Sequence, residues 1–218
     1  MNGANSQFVI SPENFLRANV VNNIRWFSEA GRAVGFASNG ALHRANAEKK
    51  AIFDLKGMGV NDGKRVYDLC LWDGGTLMDT AIDAYWCPFI QGNVLPGYVD
   101  VPRRNPVKKF VFTPAMNGCA FVVTESPDRD GWLRVYHNQH PQLRSVTDLI
   151  RNNSNGSLIS YFAFDDYGVN VDPNAFNFLH YRNSNWTYIS QPQRFTIETH
   201  GFGICYRPGG MVTTRGVA

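Results

Sequence analysis

Residues 109–140 read KFVFTPAMNGCAFVVTESPDRDGWLRVYHNQH, two apolar runs separated by one polar turn. That pattern predicts a β-hairpin, because strand-length apolar runs bounded by turn residues pair most simply with each other. Pro127 presets a turn dihedral, and Gly131 can close a longer loop. Strands alternate their side chains between two faces. Centring the loop on Asp128 therefore predicts the opposed pairs Val123 with Leu133, Phe121 with Val135, and Cys119 with His137. Opposing Cys119 to His140 instead would set Phe121 against Asn138 and Val123 against Tyr136, a poorer match in burial.

A thiol next to an imidazole can attack a carbonyl. The thiolate is the reactive form, and the neighbouring ring lowers the thiol pKa and later protonates the leaving group. Gly118 frees the backbone before Cys119. Backbone N–H groups around Asn117 and Gly118 could then point at a developing oxyanion. The bland reading of the same residues is a buried cysteine and a histidine at a strand end.

The run FVFTPAMNGC, followed by a strand, a polar turn and LRVYH, resembles the active-site region of the glutamine deamidases typified by the Burkholderia lethal factor, the cytotoxic necrotizing factors and the chemoreceptor deamidase. In that group a small residue and Gly precede the catalytic Cys, and the catalytic His follows on the next strand. Asn117 stands where the toxins usually have Ser. Thr113 falls at the offset of a site Thr in the lethal factor, six residues before the Cys. The match covers about thirty residues. It implies a catalytic Cys119 and His137, with Thr113 orienting His137 or holding the substrate amide. It further implies an α+β deamidase-toxin fold, a secreted effector acting on a host protein such as a GTPase or translation factor, and no cofactor or metal.

The whole chain sets the frame for that reading. A length of 218 residues suits a single catalytic domain, with 1–10 and 208–218 as loose ends. Hydrophobic content of 44% with 18% charged residues is globular composition, and a net charge of +3 is too small to argue for nucleic acid. The basic group Arg103, Arg104, Lys108 and Lys109 reads as a solvated loop. Cys70, Cys87, Cys119 and Cys205 show no CxxC spacing, so no zinc site is expected. No apolar run is long enough to span a membrane, and because MNGANSQFVISPENF lacks the charged and apolar regions of a secretory signal, export by that route is not expected. A monomer is expected.

Along the chain, Ser11, Pro12 and Glu13 predict a helix start, and Leu16, Val20, Ile24 and Phe27 carry its stripe to about Ala30. Strand-like runs follow at 33–37, 50–55, 65–72 and 80–89. Cys70 and Cys87 read as core residues there, and the scattered aspartates as strand-end or surface carboxylates. QGNVLPGYVDVP, residues 91–102, reads as a crossover loop flanking the site. A second helix is expected over 141–153, with Ser145 and Asp148 at capping-box spacing. Aromatic-rich strands are expected at 157–164, 176–181, 186–189, 194–199 and 203–206. Asp165 or Asp166 could orient His137 from a neighbouring strand. His43, His180 and His200 read as structural.

The fold class that results is α+β, a mostly antiparallel β-sandwich or mixed sheet pair flanked by a few helices. The expected function is cysteine-dependent deamidation of a protein glutamine through a thioester. Transglutamination, cysteine proteolysis and a non-catalytic β-sandwich binding module are the alternatives.

Overall fold

The computed structural model describes residues 3–23, 39–72, 74, 80–168, 174–197, 204–208 and 210–217. The expected strand at 33–37, the helix stripe at Ile24 and Phe27, and His200 lie outside them.

The chain opens with two short helices, α1 (Ala4–Ile10) and α2 (Pro12–Ala18). Pro12 takes the first helical position of α2, where its missing N–H costs nothing. The helix expected to reach Ala30 ends at Ala18 instead. Residues Asn19–Asn22 form strand β1, which pairs in parallel with β3 (Lys64–Leu71). Val20 and Val21 fit a strand better than a helix because branching at Cβ restricts χ1 against a helical turn.

Helix α3 (Asn39–Glu48) leads into β2 (Lys50–Asn61), followed by β3, β4 (Ile82–Trp86) and β5 (Gly97–Pro102). The expected crossover at 91–102 is thus half strand. Gly97 is required there, since a Cβ would lie 1.9 Å from the Pro88 carbonyl oxygen. Next come β6 (Phe110–Phe112), β7 (Met116–Asn117), β8 (Ala120–Glu125) and β9 (Trp132–Asn138). Helices α4 (Arg144–Asn153) and α5 (Phe164–Tyr167) flank β10 (Ser160–Phe162). The chain finishes with β11 (Asn174–Arg182), β12 (Asn185–Ile197), β13 (Ile204–Pro208) and β14 (Thr213–Gly216). Within the ends expected to be loose, Ala4–Ile10 forms α1 and Thr213–Gly216 forms β14, paired with β12. Ser145 does not cap α4; the N-cap is Leu143, with no side-chain hydrogen bond.

The strands make a ten-stranded mixed sheet, ordered β1-β3-β2-β4-β6-β11-β12-β13 with β7 and β14 beside it, and a four-stranded antiparallel sheet ordered β10-β8-β9-β5. The fold is α+β. The large sheet curls until β12 meets β1, and there glutamine side chains take the place of a ladder. Gln191 Oε1 accepts from Val21 N–H at 3.0 Å, Gln191 Nε2 donates to the Leu16 and Asn19 carbonyls, and Gln193 Nε2 donates to the Val21 carbonyl at 2.6 Å.

Alternation sorts the core into layers. Phe110, Phe112, Phe176 and Phe178 pack inside the curl with Phe8, Phe15, Leu16, Ala41 and Ala45 of the helices. Val111, Leu179, Trp186 and Tyr188 face the other way and meet Phe121, Val123, Leu133 and Val135 of the small sheet. Ile150 of α4 covers Val122 and Tyr136 on the outer face of that small sheet.

Candidate active site

The hairpin forms, with a different register from the one expected. Phe121 lies opposite His137, Val123 opposite Val135 and Glu125 opposite Leu133. The loop is centred on Arg129 rather than Asp128, because Gly131 adopts a left-handed φ of 74° and Ser126 N–H closes onto the Trp132 carbonyl. Sliding by two residues keeps every side chain on its expected face. It also moves Cys119, which precedes β8, level with Gln139 and diagonal to His137. Such diagonal neighbours stand further apart than opposed ones.

His137 is fully buried in the layer between the sheets. Phe89 packs edge-on against its ring at 5.3 Å, and Phe121 lies at 6.5 Å. Its Nδ1 is 2.5 Å from Thr113 Oγ1. Thr113 has a single hydroxyl proton, which it donates to the Cys87 carbonyl at 2.8 Å. The Thr113 oxygen must therefore accept from the ring, so His137 carries its proton on Nδ1 and bears its lone pair on Nε2. That Nε2 is buried without a hydrogen-bond partner. Burial pushes the His137 pKa down to about 3.

Cys119 is 3% exposed. Burial raises its thiol pKa to about 11, and the facing Asn117 backbone N–H offsets this only partly. Gly118 takes a left-handed φ of 78°, and Asn117 is exposed beside it. The Tyr167 hydroxyl donates to the Cys119 carbonyl at 2.8 Å, anchoring that turn to α5. The expected lowering of the thiol pKa by His137 is not what this geometry gives. Both groups are held neutral in a closed site.

The remaining candidates fall elsewhere. Asp166 accepts from Ala163 N–H at the start of α5 and pairs with Arg215, so it does not orient His137. The Cys87 thiol is buried and donates to the Val135 carbonyl at 3.3 Å, and burial raises its pKa to about 12. Cys70 is half-buried. His140 follows the end of β9, with its backbone N–H on Asn138 Oδ1. His180 stacks on Phe110 at 4.7 Å and His43 is exposed on α3. Within the basic group, Arg103 pairs with Glu125, Lys108 with Asp83, and Lys109 lies over the Tyr181 ring. Reading by sequence missed Phe89 and Tyr167, because only the folded chain brings a loop ring and a short helix against the hairpin.

Fold and site together define an α+β domain with a cysteine, a histidine and a threonine enclosed between two sheets. The family model of the Mcf1 activator-binding domain matches residues 3–205. The chain belongs to that family. The family is described by what it binds, an activator, so engagement of a protein partner is its characteristic property. No curated protein matches the chain in sequence. No helix among the described residues is long and apolar enough to cross a membrane.

Proposed function

We propose that this chain is a partner-binding domain that engages a protein activator. The observation that carries this reading is the reach of the family match, which takes in residues 3–205 and hence the four-stranded sheet, the large sheet through β12 and the enclosed site. The closed site agrees with it, since a thiol raised to about 11 and an imidazole lowered to about 3 are poorly matched to catalysis in the free chain. The test is affinity capture with the purified chain, followed by calorimetric titration of each captured protein after separate purification. A protein that binds saturably, with one site per chain, supports the reading. Retention of nothing above a charge-matched control domain would sink it.

A second reading is glutamine deamidation of a host protein by a secreted effector. The Thr113–His137 hydrogen bond favours it, because it fixes the tautomer in which Nε2 can take a proton. In that reaction Cys119 loses its proton to His137, and the thiolate attacks the side-chain amide carbon. Backbone N–H groups at Gly118 and Cys119 hold the oxyanion. His137 returns the proton to the leaving nitrogen, ammonia departs, and water hydrolyses the thioester to release glutamate. Ammonia release together with an amide-to-acid mass change on a glutamine of the captured protein, absent in Cys119→Ser and His137→Ala, supports it. Amine incorporation at that glutamine would make the activity a transglutaminase, and backbone cleavage would make it a protease.

A further inference from the structure

Lys49 closes a helix in a backbone conformation that lysine rarely takes. It follows α3, its N–H donates to the Ala45 carbonyl at 2.9 Å, and its φ is 57°. That is the left-handed position at which helices end, and glycine fills it without strain because it has no Cβ to clash. A lysine there costs stability, and strain of this kind persists where the side chain has a use.

The side chain reaches a hollow of about 260 Å³ where the two sheets meet. Tyr85 of β4 lines it from the large sheet, and Tyr98 of β5 and Trp132 of β9 line it from the small one. The Lys49 ammonium lies over the Tyr98 ring at 5.8 Å, and the Arg129 guanidinium lies over the Trp132 ring at 4.7 Å. Tyr, Trp and Arg are the side chains that most often anchor protein interfaces. The volume falls below the ~300–1,000 Å³ of small-molecule sites and suits one or two side chains.

Charge selects the occupant. The two acids that line the hollow each have a cation already: Asp100 accepts from Arg134 with both oxygens, and Glu48 lies 3.8 Å from Lys50. Lys49 and Arg129 have no acid partner among the described residues. Burial lowers the Lys49 pKa below that of an exposed lysine. An arriving carboxylate would reverse that shift and supply the missing counter-charge.

We propose that this hollow, built on Lys49 and Arg129 with the rings of Tyr85, Tyr98 and Trp132, binds an acidic segment of a partner protein through an aspartate or glutamate side chain. The carboxylate meets the two cations, and neighbouring residues of the segment pack on the rings. This rests on the partner-binding reading above, and gives it a contact surface and a partner chemistry.

The probe is the peptide acetyl-Glu-Glu-Tyr-Glu-Glu-amide, with acetyl-Lys-Lys-Tyr-Lys-Lys-amide and inorganic phosphate as controls. The Trp132 indole N–H is followed by nitrogen-15 NMR and assigned by its loss in Trp132→Phe. A saturable shift with the acidic peptide alone is expected, with affinity weakened roughly tenfold in Lys49→Gly and in Arg129→Ala as one charged contact is lost. Lys49→Gly should keep Tm at or above the wild type, because glycine relieves the left-handed position. No shift, an equal shift with the basic peptide, wild-type affinity in either variant, or a lowered Tm in Lys49→Gly would each overturn the site. An equal shift with phosphate would make it a general anion site and overturn its assignment to a protein segment. Peptide binding with no activator captured counts against the partner reading alone. A captured activator that binds Lys49→Gly and Arg129→Ala as tightly as the wild type overturns the hollow and leaves that reading standing.

Discussion

The Phe89 ring stands edge-on to the His137 ring, 5.3 Å between centroids and 71° between planes. It comes from the loop after β4 and is itself half-buried, so it shields the imidazole from one side. Replacing Phe89 with Ala should admit water to His137 and raise its pKa from about 3 toward the ordinary 6.5. The imidazole stays neutral at pH 8 in both proteins, so the faster alkylation of Cys119 by iodoacetamide expected at that pH reports opened access rather than a lowered thiol pKa. Peptide mass spectrometry follows the rate at Cys119, with half-buried Cys70 as the internal reference. An unchanged ratio of the two rates would mean that Phe89 does not control access.

Thr113→Val removes the acceptor for His137 Nδ1–H at nearly constant volume. A buried donor left unsatisfied costs about 1–3 kcal/mol, so urea unfolding should show a loss of that order. Nitrogen-15 NMR should find Nδ1 protonated in the wild type and a tautomer mixture in the variant. The same tautomer in both proteins would remove Thr113 from its orienting position.

Stability should fall in acid along a predictable course. His137 binds a proton at about pH 3 in the folded chain and at 6.5 when unfolded. Between those values the unfolded state holds more protons, so stability drops as pH falls from 6.5 toward 3, by up to about 1.4 kcal/mol per pH unit. His180, lowered to about 4 mainly by burial, adds to the same slope. Urea titrations between pH 7 and pH 4.5 should show a shallower slope in His137→Gln than in the wild type. Parallel slopes would mean that the imidazole is not held neutral in the fold.

Arg134 fixes the outer end of the hairpin. Its guanidinium donates to both Asp100 oxygens, at 2.7 and 2.8 Å, and to Asn153 Oδ1 at 2.9 Å, and it pairs with Asp128. The side chain is 3% exposed, so removing it strands a partly buried carboxylate. Arg134→Ala should cost about 3–5 kcal/mol in urea unfolding. Arg134→Lys should recover little, because an ammonium cannot reproduce the planar fork. Full recovery by Lys would show that charge alone matters there.

Much of the architecture was legible in sequence because it rests on alternation. The hairpin faces survive the two-residue slip, and the α+β class follows from short β-rich runs with few helices. The register was not legible, since it depends on which loop residue takes a left-handed φ, and Gly131 rather than Asp128 decides that. The N-terminal stripe misled for a similar reason. Leu16 and Val20 fit a helical spacing, yet pairing of Val20 with Val66, distant in sequence, pulls the chain into β1. Thr113 was marked by resemblance, and the contact with His137 is one of its two expected placements. Lys49 gave no signal, because one Lys in AEKKAIF looks like any surface charge until its left-handed φ after α3 is known.

The glutamine seam sets where this molecule comes apart first. Elsewhere the large sheet is joined by backbone ladders, each bond supported by the next. At β1 and β12 the junction depends on the rotamers of Gln191 and Gln193. Freeing two side chains opens the curl without unravelling a strand, so the curled sheet behaves as a clasped band rather than a welded ring. The Val21 amide should exchange with solvent ahead of amides in the β11–β12 ladder, and Gln191→Leu should loosen the N-terminal segment while the four-stranded sheet stays folded.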